Sequence, residues 1–185
     1  MRLAQLRQEY DERLVLRWKG FALVPEAEPG RTFNDHAAEV WARARANAQT
    51  EGTTFAARPP GALMPTSSLP ALEAAKCAVA QGNERFERYH LALLKAYFTQ
   101  GRDISQAEVL IDLAREARLE VDRFTLDLAS GGMRGLVLTE YLEAQSLGVT
   151  SVPTVILSDP QGAIRIVGEV PTAQYRRYIE WFLVT

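Results

Sequence analysis

Apolar residues recur at helical spacing through most of the chain. Leu3, Leu6 and Tyr10 would share one face of a short helix over Arg2 to Tyr10. The same period continues from about Pro70 to Leu147, where it predicts a series of helices. Consecutive amphipathic helices bury their apolar stripes against one another, so we expect this stretch to fold as a helical bundle.

Three shorter runs have the pattern of strands instead. The segment Leu14 to Val24, LVLRWKGFALV, has β-formers with apolar residues on both faces, which is typical of a strand inside an α/β sheet. Two apolar runs, Thr154 to Leu157 and Ala163 to Val167, flank a turn at Asp159 to Gly162 and predict a hairpin. The predicted order is therefore helix, strand, helical insertion, strand, strand, helix, with the last helix after Pro171.

Polar residues mark several predicted helix starts. Asn34 precedes an Ala-rich helix, from Asp35 to about Ala48, and can cap it. Ser105 and Glu108 have the spacing of a capping box ahead of another helix. Thr172 is the expected cap of the C-terminal helix, whose inward-facing residues should be Tyr175, Ile179 and Phe182.

Composition and charge narrow the functional classes. The chain has 185 residues, 47% of them hydrophobic, which suffices for a core in one domain or in a domain with a large insertion. The net charge of −2, with both signs interspersed, provides no basic stripe, so we expect no nucleic-acid partner. No apolar run approaches the ~20 residues of a membrane span, and the charged, amphipathic start is unlike a secretory signal. The sequence therefore favours a cytoplasmic protein without membrane contact.

The chain has few cysteine and histidine residues, the types considered first for catalysis or metal binding. Cys77 is the single cysteine, so it permits no intramolecular disulfide and no thiolate metal site, and its helix of small residues indicates a packing role. His90 falls on an apolar helix face, which is typical of a hydrogen-bonded core or interface histidine. His36 has no partner at metal-ligand spacing apart from Asp35 and Glu39. We therefore expect no metal, no cofactor and no catalytic residue among the residues present.

Two further groups of residues have a structural interpretation. Arg17, Trp18 and Phe21 lie on the first predicted strand, where supporting the fold is a better explanation than contacting a substrate. Arg102 and Asp103 should fix the turn between two helices of the insertion.

Three stretches carry a resemblance to a known family: RWKGFAL, ALLKAYFTQGRDISQAEVLIDLAREARL and EAQSLGVTSVPTVIL. Together they resemble the DsbA family, and in particular its FrnE and 2-hydroxychromene-2-carboxylate isomerase branch. The resemblance covers nearly the whole chain and implies an α/β protein, a thioredoxin-like fold with a helical insertion domain. It implies a thioredoxin-like domain at residues 1–30 and 148–185, and an insertion with its linker at residues 31–147. The activity that it implies is that of a thiol-disulfide oxidoreductase or disulfide isomerase.

The resemblance also implies a substrate-binding loop. In relatives of this kind the proline that matches Pro153 is cis and lies beside the redox site. A cis bond leaves the backbone of the preceding residue free to pair with an extended segment through main-chain hydrogen bonds. Ser151, Val152 and Pro153 are therefore the predicted substrate-binding residues. The partners implied are an extended peptide, a protein thiol or glutathione.

One departure from the family limits the expected chemistry. The family's first strand and its Cys-x-x-Cys turn have no match in these residues, whose start resembles the helix that follows the cysteines. Dithiol exchange requires an attacking thiolate and a resolving thiol, so we expect that the residues present cannot run it. The sheet would also lack its central strand, and we expect self-association to a homo-oligomer or disorder at the N-terminus.

Three functional interpretations stay open at this point. The favoured one is a thiol-disulfide oxidoreductase whose catalytic turn lies upstream of Met1. The second is a non-redox module that binds a peptide or a partner protein through the Pro153 loop and the insertion. The third is a glutathione-dependent isomerase whose nucleophilic serine would also lie upstream. Sequence before Met1 would distinguish the three, because it would contain a Cys-x-x-Cys, a stop codon or a serine respectively.

Overall fold

Helices and loops alternate through most of the chain, and a hairpin forms a sheet near its end. The computed structural model describes residues 2–49 and 54–184. We call Met1–Phe21 with Glu140–Thr185 the sheet unit and Ala22–Thr139 the helical unit, because the chain divides into these two compact parts. The elements are α1 (Arg2–Tyr10), a 3₁₀ turn (Asp11–Arg13), α2 (Asp35–Gln49), α3 (Leu69–Val79), α4 (Asn83–Phe98), α5 (Ala107–Glu116), α6 (Val121–Ala129), α7 (Arg134–Ser146), β1 (Thr154–Asp159), β2 (Gly162–Val167) and α8 (Thr172–Val184).

The hairpin and two helices build the core of the sheet unit. Strands β1 and β2 pair antiparallel, with Thr154 opposite Val167 and Asp159 opposite Gly162. The Asp159 carboxylate accepts the N–H of Gln161 and of Gly162, which fixes the turn. Along each strand, side chains point alternately to the core and to the opposite face. The inward face packs with α1 and α8. The buried residues of this core are Leu6, Tyr10, Ile166, Tyr175 and Ile179.

Helices α3 to α6 pack into the core of the helical unit, as the periodicity predicts. Tyr89 and Phe124 are completely buried, with ring centroids 5.3 Å apart. The Tyr89 hydroxyl donates to the Leu110 carbonyl at 3.3 Å, so this buried polar atom has a partner. Within the described ranges, no helix is both long enough and apolar enough to span a membrane.

The prediction of a strand from Leu14 to Val24 is wrong. Leu14 has an extended backbone, with φ −131° and ψ 107°. In the described part of the chain, however, this segment pairs with neither β1 nor β2. A β-strand requires backbone hydrogen bonds to a neighbouring strand. Side chains that favour β-structure do not determine whether such a neighbour is present.

Part of this segment contacts side chains of α7 and does not pair with a strand. The buried N–H of Gly20 donates to the Glu140 carboxylate at 2.6 Å. The Lys19 ammonium pairs with the Glu143 carboxylate at 2.5 Å. Phe21 packs on the Tyr141 ring with centroids 5.2 Å apart. Residues 19–21 are therefore attached to one face of a helix.

The predicted cap of α2 is confirmed, and that of α8 is wrong by one position. The Asn34 side-chain oxygen accepts the N–H of Ala37 at 2.9 Å. Thr172 is instead the first residue of α8, and Pro171 precedes the helix at the N-cap position. The Pro171 carbonyl accepts the N–H of Gln174.

The predicted capping box of Ser105 and Glu108 is also wrong. Helix α5 begins at Ala107, and the Ser105 hydroxyl donates to the Asp103 carboxylate at 2.6 Å instead of capping the helix. Asp103 also accepts the Ser105 N–H at 2.9 Å, which closes the turn after α4. The Arg102 guanidinium pairs with acidic side chains of α5, so both residues stabilise the turn as expected.

Candidate functional site

The end of α7 directs the chain into the predicted substrate-binding loop. Gly148 has φ +71°, and its N–H donates to the Gln145 carbonyl while the Val149 N–H donates to the Ala144 carbonyl. This pair of bonds is a Schellman ending, in which glycine takes the left-handed position without the strain of a Cβ. The Arg165 side chain of β2 donates to the Leu147 carbonyl at 2.6 Å and fills the space that a Cβ on Gly148 would need. The start of the loop is therefore fixed.

Short hydrogen bonds also fix the far end of this loop, residues 149–153, which we call the Pro153 loop. The peptide bond between Val152 and Pro153 is cis. The Thr154 hydroxyl donates to the Ser151 carbonyl at 2.7 Å, and the Gly168 N–H donates to the Pro153 carbonyl at 2.8 Å. The loop is consequently continuous with the first pair of the hairpin.

Val152 is an exposed residue of the Pro153 loop, with a relative accessibility of 47%. Within residues 2–49 and 54–184, no hydrogen bond engages its N–H or its carbonyl. One free donor and one free acceptor on a fixed, solvent-facing residue can pair with the main chain of an extended ligand. Ser151, Val152 and Pro153 thus lie together in a surface loop, and their role in binding stays a prediction.

Cys77 lies in the helical unit and is completely buried in its core. Burial raises the pKa of its thiol to about 11, and the nearby Asp127 carboxylate acts in the same direction. A thiol with this pKa is almost entirely protonated at neutral pH, so it is a poor nucleophile. The surroundings of Cys77 are those of a packing residue.

In the part of the chain that the structure describes, neither histidine belongs to a cluster that could hold a metal. His90 packs on Phe86, with ring centroids 5.5 Å apart, and burial lowers the pKa of its imidazole. His36 is exposed near the start of α2. Among the described residues no group of three or more histidine, cysteine or acidic side chains comes together at ligand distance.

Sequence reasoning missed two residues that shape the sheet unit. Glu140 is only 9% exposed and accepts the N–H of Gly20, although a carboxylate is among the residues least often buried. Apolar residues lie on more than one side of α7, so its pattern gives no clear signal that position 140 is buried. Arg165 braces the start of the Pro153 loop from β2, and nothing in the strand pattern indicates that contact.

The comparison with protein families identifies the chain. The sequence profile of the DSBA-like thioredoxin domain matches residues 1–180. The chain belongs to the DSBA-like thioredoxin domain family. The resemblance to the DsbA family is therefore confirmed, and so is the fold class, a DsbA-like thioredoxin fold with a helical insertion.

Solved structures show the same fold at low sequence identity. A candidate protein disulfide isomerase from Nitrosomonas europaea superposes with a TM-score of 0.80 at 18% identity, over 98% of this chain and 88% of that one. The cytosolic disulfide reductase DsbM from Pseudomonas aeruginosa superposes with a TM-score of 0.68 at 19% identity, over 98% of this chain and 90% of that one. A second DsbM structure, solved with GSH, gives the same TM-score.

A curated relative matches part of the chain. The ClpXP adapter protein SpxH of Shouchella clausii is 28% identical over 110 residues, which are 58% of this chain. The match spans 37% of the length of SpxH.

Proposed function

We propose that the protein binds thiol-containing substrates of the kind that thiol-disulfide oxidoreductases act on. The substrate main chain would form hydrogen bonds with the backbone of Val152. The observation that carries this proposal is that Val152 is an exposed residue in a fixed loop, whose backbone donor and acceptor are free in the described part of the chain. Pairing through the main chain tolerates many side-chain sequences, which suits an enzyme family that acts on varied disulfides. Membership of the DSBA-like family supports the substrate class.

Glutathione and extended cysteine-containing peptides are the proposed ligands. Both present a short main chain beside a thiol. The DsbM structure with GSH supports glutathione as a ligand for this fold, and the cytosolic description of DsbM favours a reducing cytoplasm as the site of action. Each main-chain hydrogen bond contributes only about 0.5–1.5 kcal/mol, so the loop alone binds weakly.

The proposed role of these residues is binding without dithiol exchange. That exchange needs an attacking thiolate and a second thiol, whereas the single cysteine, Cys77, is buried with a raised pKa. The 185-residue chain should therefore bind reduced glutathione but give no turnover in an insulin reduction assay. Turnover that is abolished in Cys77→Ser would overturn this assignment.

Binding at the loop can be tested by titrating the isotope-labelled chain with glutathione and following its amide resonances. The amides of Ser151, Val152 and Thr154 should shift, while that of Gln161 at the opposite end of the hairpin stays in place. Val152→Pro removes the N–H and should weaken binding by about 2- to 10-fold, the equivalent of one hydrogen bond. Val152→Ala keeps the N–H and serves as the matched control. Unmoved loop amides at saturating glutathione would refute the proposal.

A second candidate function is a non-redox module that binds a partner protein. The burial of the only cysteine favours it, and so does the match to SpxH, which is described as an adapter protein. This alternative predicts that extended peptides without cysteine bind as tightly as their cysteine-containing counterparts. The isomerase alternative predicts glutathione binding with no disulfide reduction, even after upstream sequence is added to the chain.

A further inference from the structure

A groove of about 340 Å³ lies in the helical unit, between α2 and the segment of residues 56–58. On α2, positions 38, 41, 42, 45 and 46 line it, which is the i, i+3, i+4, i+7, i+8 stripe of one helix face. Three of these residues are alanines, so the helix surface is shallow there and leaves space beside Trp41. The volume falls at the lower end of the range typical of small-molecule sites.

The walls of the groove are fixed by hydrogen bonds and ring contacts. The Trp41 indole N–H donates to the Ala56 carbonyl at 3.1 Å, and the Ala56 N–H donates to the Phe98 carbonyl at 2.7 Å. Trp41 also packs on the Phe55 and Phe98 rings, each with a centroid distance of 5.3 Å. The groove is therefore a built feature of this unit, with one wall on α2 and the other fastened to the end of α4.

Arg58 gives the groove an unusual charge. Its guanidinium lies over the ring of Trp41 at 4.9 Å and over that of Tyr97 at 5.0 Å, and one of its terminal nitrogens donates to the Tyr97 carbonyl. Its Nε is buried and has no hydrogen-bond partner in the described part of the chain. Buried polar atoms normally have partners, so the protein does not fully satisfy this guanidinium where it lines the groove.

A second guanidinium adds to the positive charge of the groove. Arg45 also lines it. Within the described ranges, neither Arg45 nor Arg58 has a carboxylate at ion-pair distance, whereas Arg31, Arg85, Arg88 and Arg102 all do. Arg58 does interact with the Asp103 carboxylate, but only at longer range and not as an ion pair.

We propose that this groove binds a small amphiphilic carboxylate, with its apolar body against the alanines and Trp41 and its carboxylate on Arg58. The planar guanidinium matches the geometry of a carboxylate, and its contacts with the Trp41 and Tyr97 rings hold it in place for binding. The apolar walls favour an organic acid over a strongly hydrated inorganic anion. The site is independent of the Pro153 loop and of any cysteine chemistry.

Octanoate is a suitable probe, and octanamide is its neutral counterpart of equal length. Octanoate should bind the 185-residue chain and shift the indole N–H resonance of Trp41. Arg58→Gln should weaken binding by ~10-fold or more, since hydrogen bonds to charged groups contribute about 1.5–3 kcal/mol. Arg45→Gln should weaken it by about 2- to 5-fold, the range of an exposed ion pair. Arg43→Gln, also on α2 but outside the groove, is the matched control and should leave the affinity unchanged.

A steric variant keeps the test valid if Arg58→Gln does not fold. Ala42→Leu fills the groove while leaving both arginines in place, so it should abolish octanoate binding. The proposal is overturned if octanamide binds as tightly as octanoate, if Arg43→Gln costs as much as Arg58→Gln, or if Ala42→Leu has no effect. Tighter binding of an acetylated apolar peptide with a free terminal carboxylate would also overturn it, in favour of a protein ligand.

Discussion

At the residue scale, burial sets the chemistry of Cys77. The side chain is completely buried in the core formed by α3 to α6, and the pKa of its thiol is raised to about 11. We expect Cys77 in the native chain to react with a disulfide reagent far more slowly than in urea. Its reaction rate should still be increasing at pH 9 to 10, because the thiolate fraction grows up to the raised pKa. Rapid labelling of the native protein that levels off near neutral pH would contradict the burial of this thiol.

His90 should make stability depend on pH. Burial lowers the pKa of its imidazole in the folded protein, whereas in the unfolded chain it titrates near the ordinary value of about 6.5. The unfolded state therefore binds a proton first as the pH falls. The stabilising contribution is complete above about 6.5 and is lost as the pH decreases toward the folded pKa.

Urea unfolding at pH values from about 7 to 5 tests this expectation for His90. His90→Gln should reduce the loss of stability on acidification relative to the unsubstituted chain. His36→Gln, at an exposed position, should leave that loss unchanged. An identical pH dependence in the His90 variant and the parent would show that the imidazole titrates normally in the fold.

At the element scale, the attachment of residues 19–21 to α7 depends mainly on Glu140. Glu140→Ala would leave the buried N–H of Gly20 without its acceptor, so we expect a loss of about 1–3 kcal/mol in the free energy of unfolding. Glu143→Ala, three residues later on the same helix, removes an exposed pair with Lys19 and should cost less than about 1 kcal/mol. Both values can be measured by urea unfolding. Equal losses for the two variants would show that the buried hydrogen bond contributes no more to stability than the exposed ion pair.

The elements differ in how far the sequence could predict them. Helices α1 and α4 follow from periodicity, and α2 from Asn34 as well, because helical hydrogen bonds and caps are local. The segment Leu14 to Val24 has the residues of a strand, yet whether it pairs depends on a neighbour elsewhere in space. Similarly, Ser105 could either cap α5 or form hydrogen bonds with Asp103, and the structure has the second. The local sequence motif does not distinguish these two arrangements.

At the scale of the whole molecule, the two candidate sites were predictable to different degrees. Ser151, Val152 and Pro153 could be proposed from the sequence because they belong to one short motif. The groove could not, since Arg58 meets Trp41 and Tyr97 only after α2 and α4 have packed. Contacts that join distant segments depend on tertiary structure, and they leave no regular spacing in the chain.

The open edge of the hairpin has a consequence for the state of association. The Gly168 N–H donates to the Pro153 carbonyl, and hydrogen bonding alternates along an antiparallel pair. The backbone groups of Thr154, Ile156 and Ser158 therefore point away from β2, and in the described part of the chain β1 has no second neighbour. Ile156 and Val167, 39% and 55% exposed, lie on the hairpin face opposite the core. An edge with exposed apolar side chains is a template for pairing with another chain.

We therefore expect the 185-residue chain to self-associate through β1, with an average mass that increases with concentration in analytical ultracentrifugation. Ile156→Lys places a charge beside the open edge and should weaken association by ~10-fold or more, because burial of one large aliphatic side chain contributes about 1.5–3 kcal/mol. Leu126→Lys, at a more exposed leucine on α6, controls for the added charge and should have little effect. A monomer at all concentrations would contradict pairing at this edge. Equal weakening by both lysine variants would assign the association to a surface other than β1.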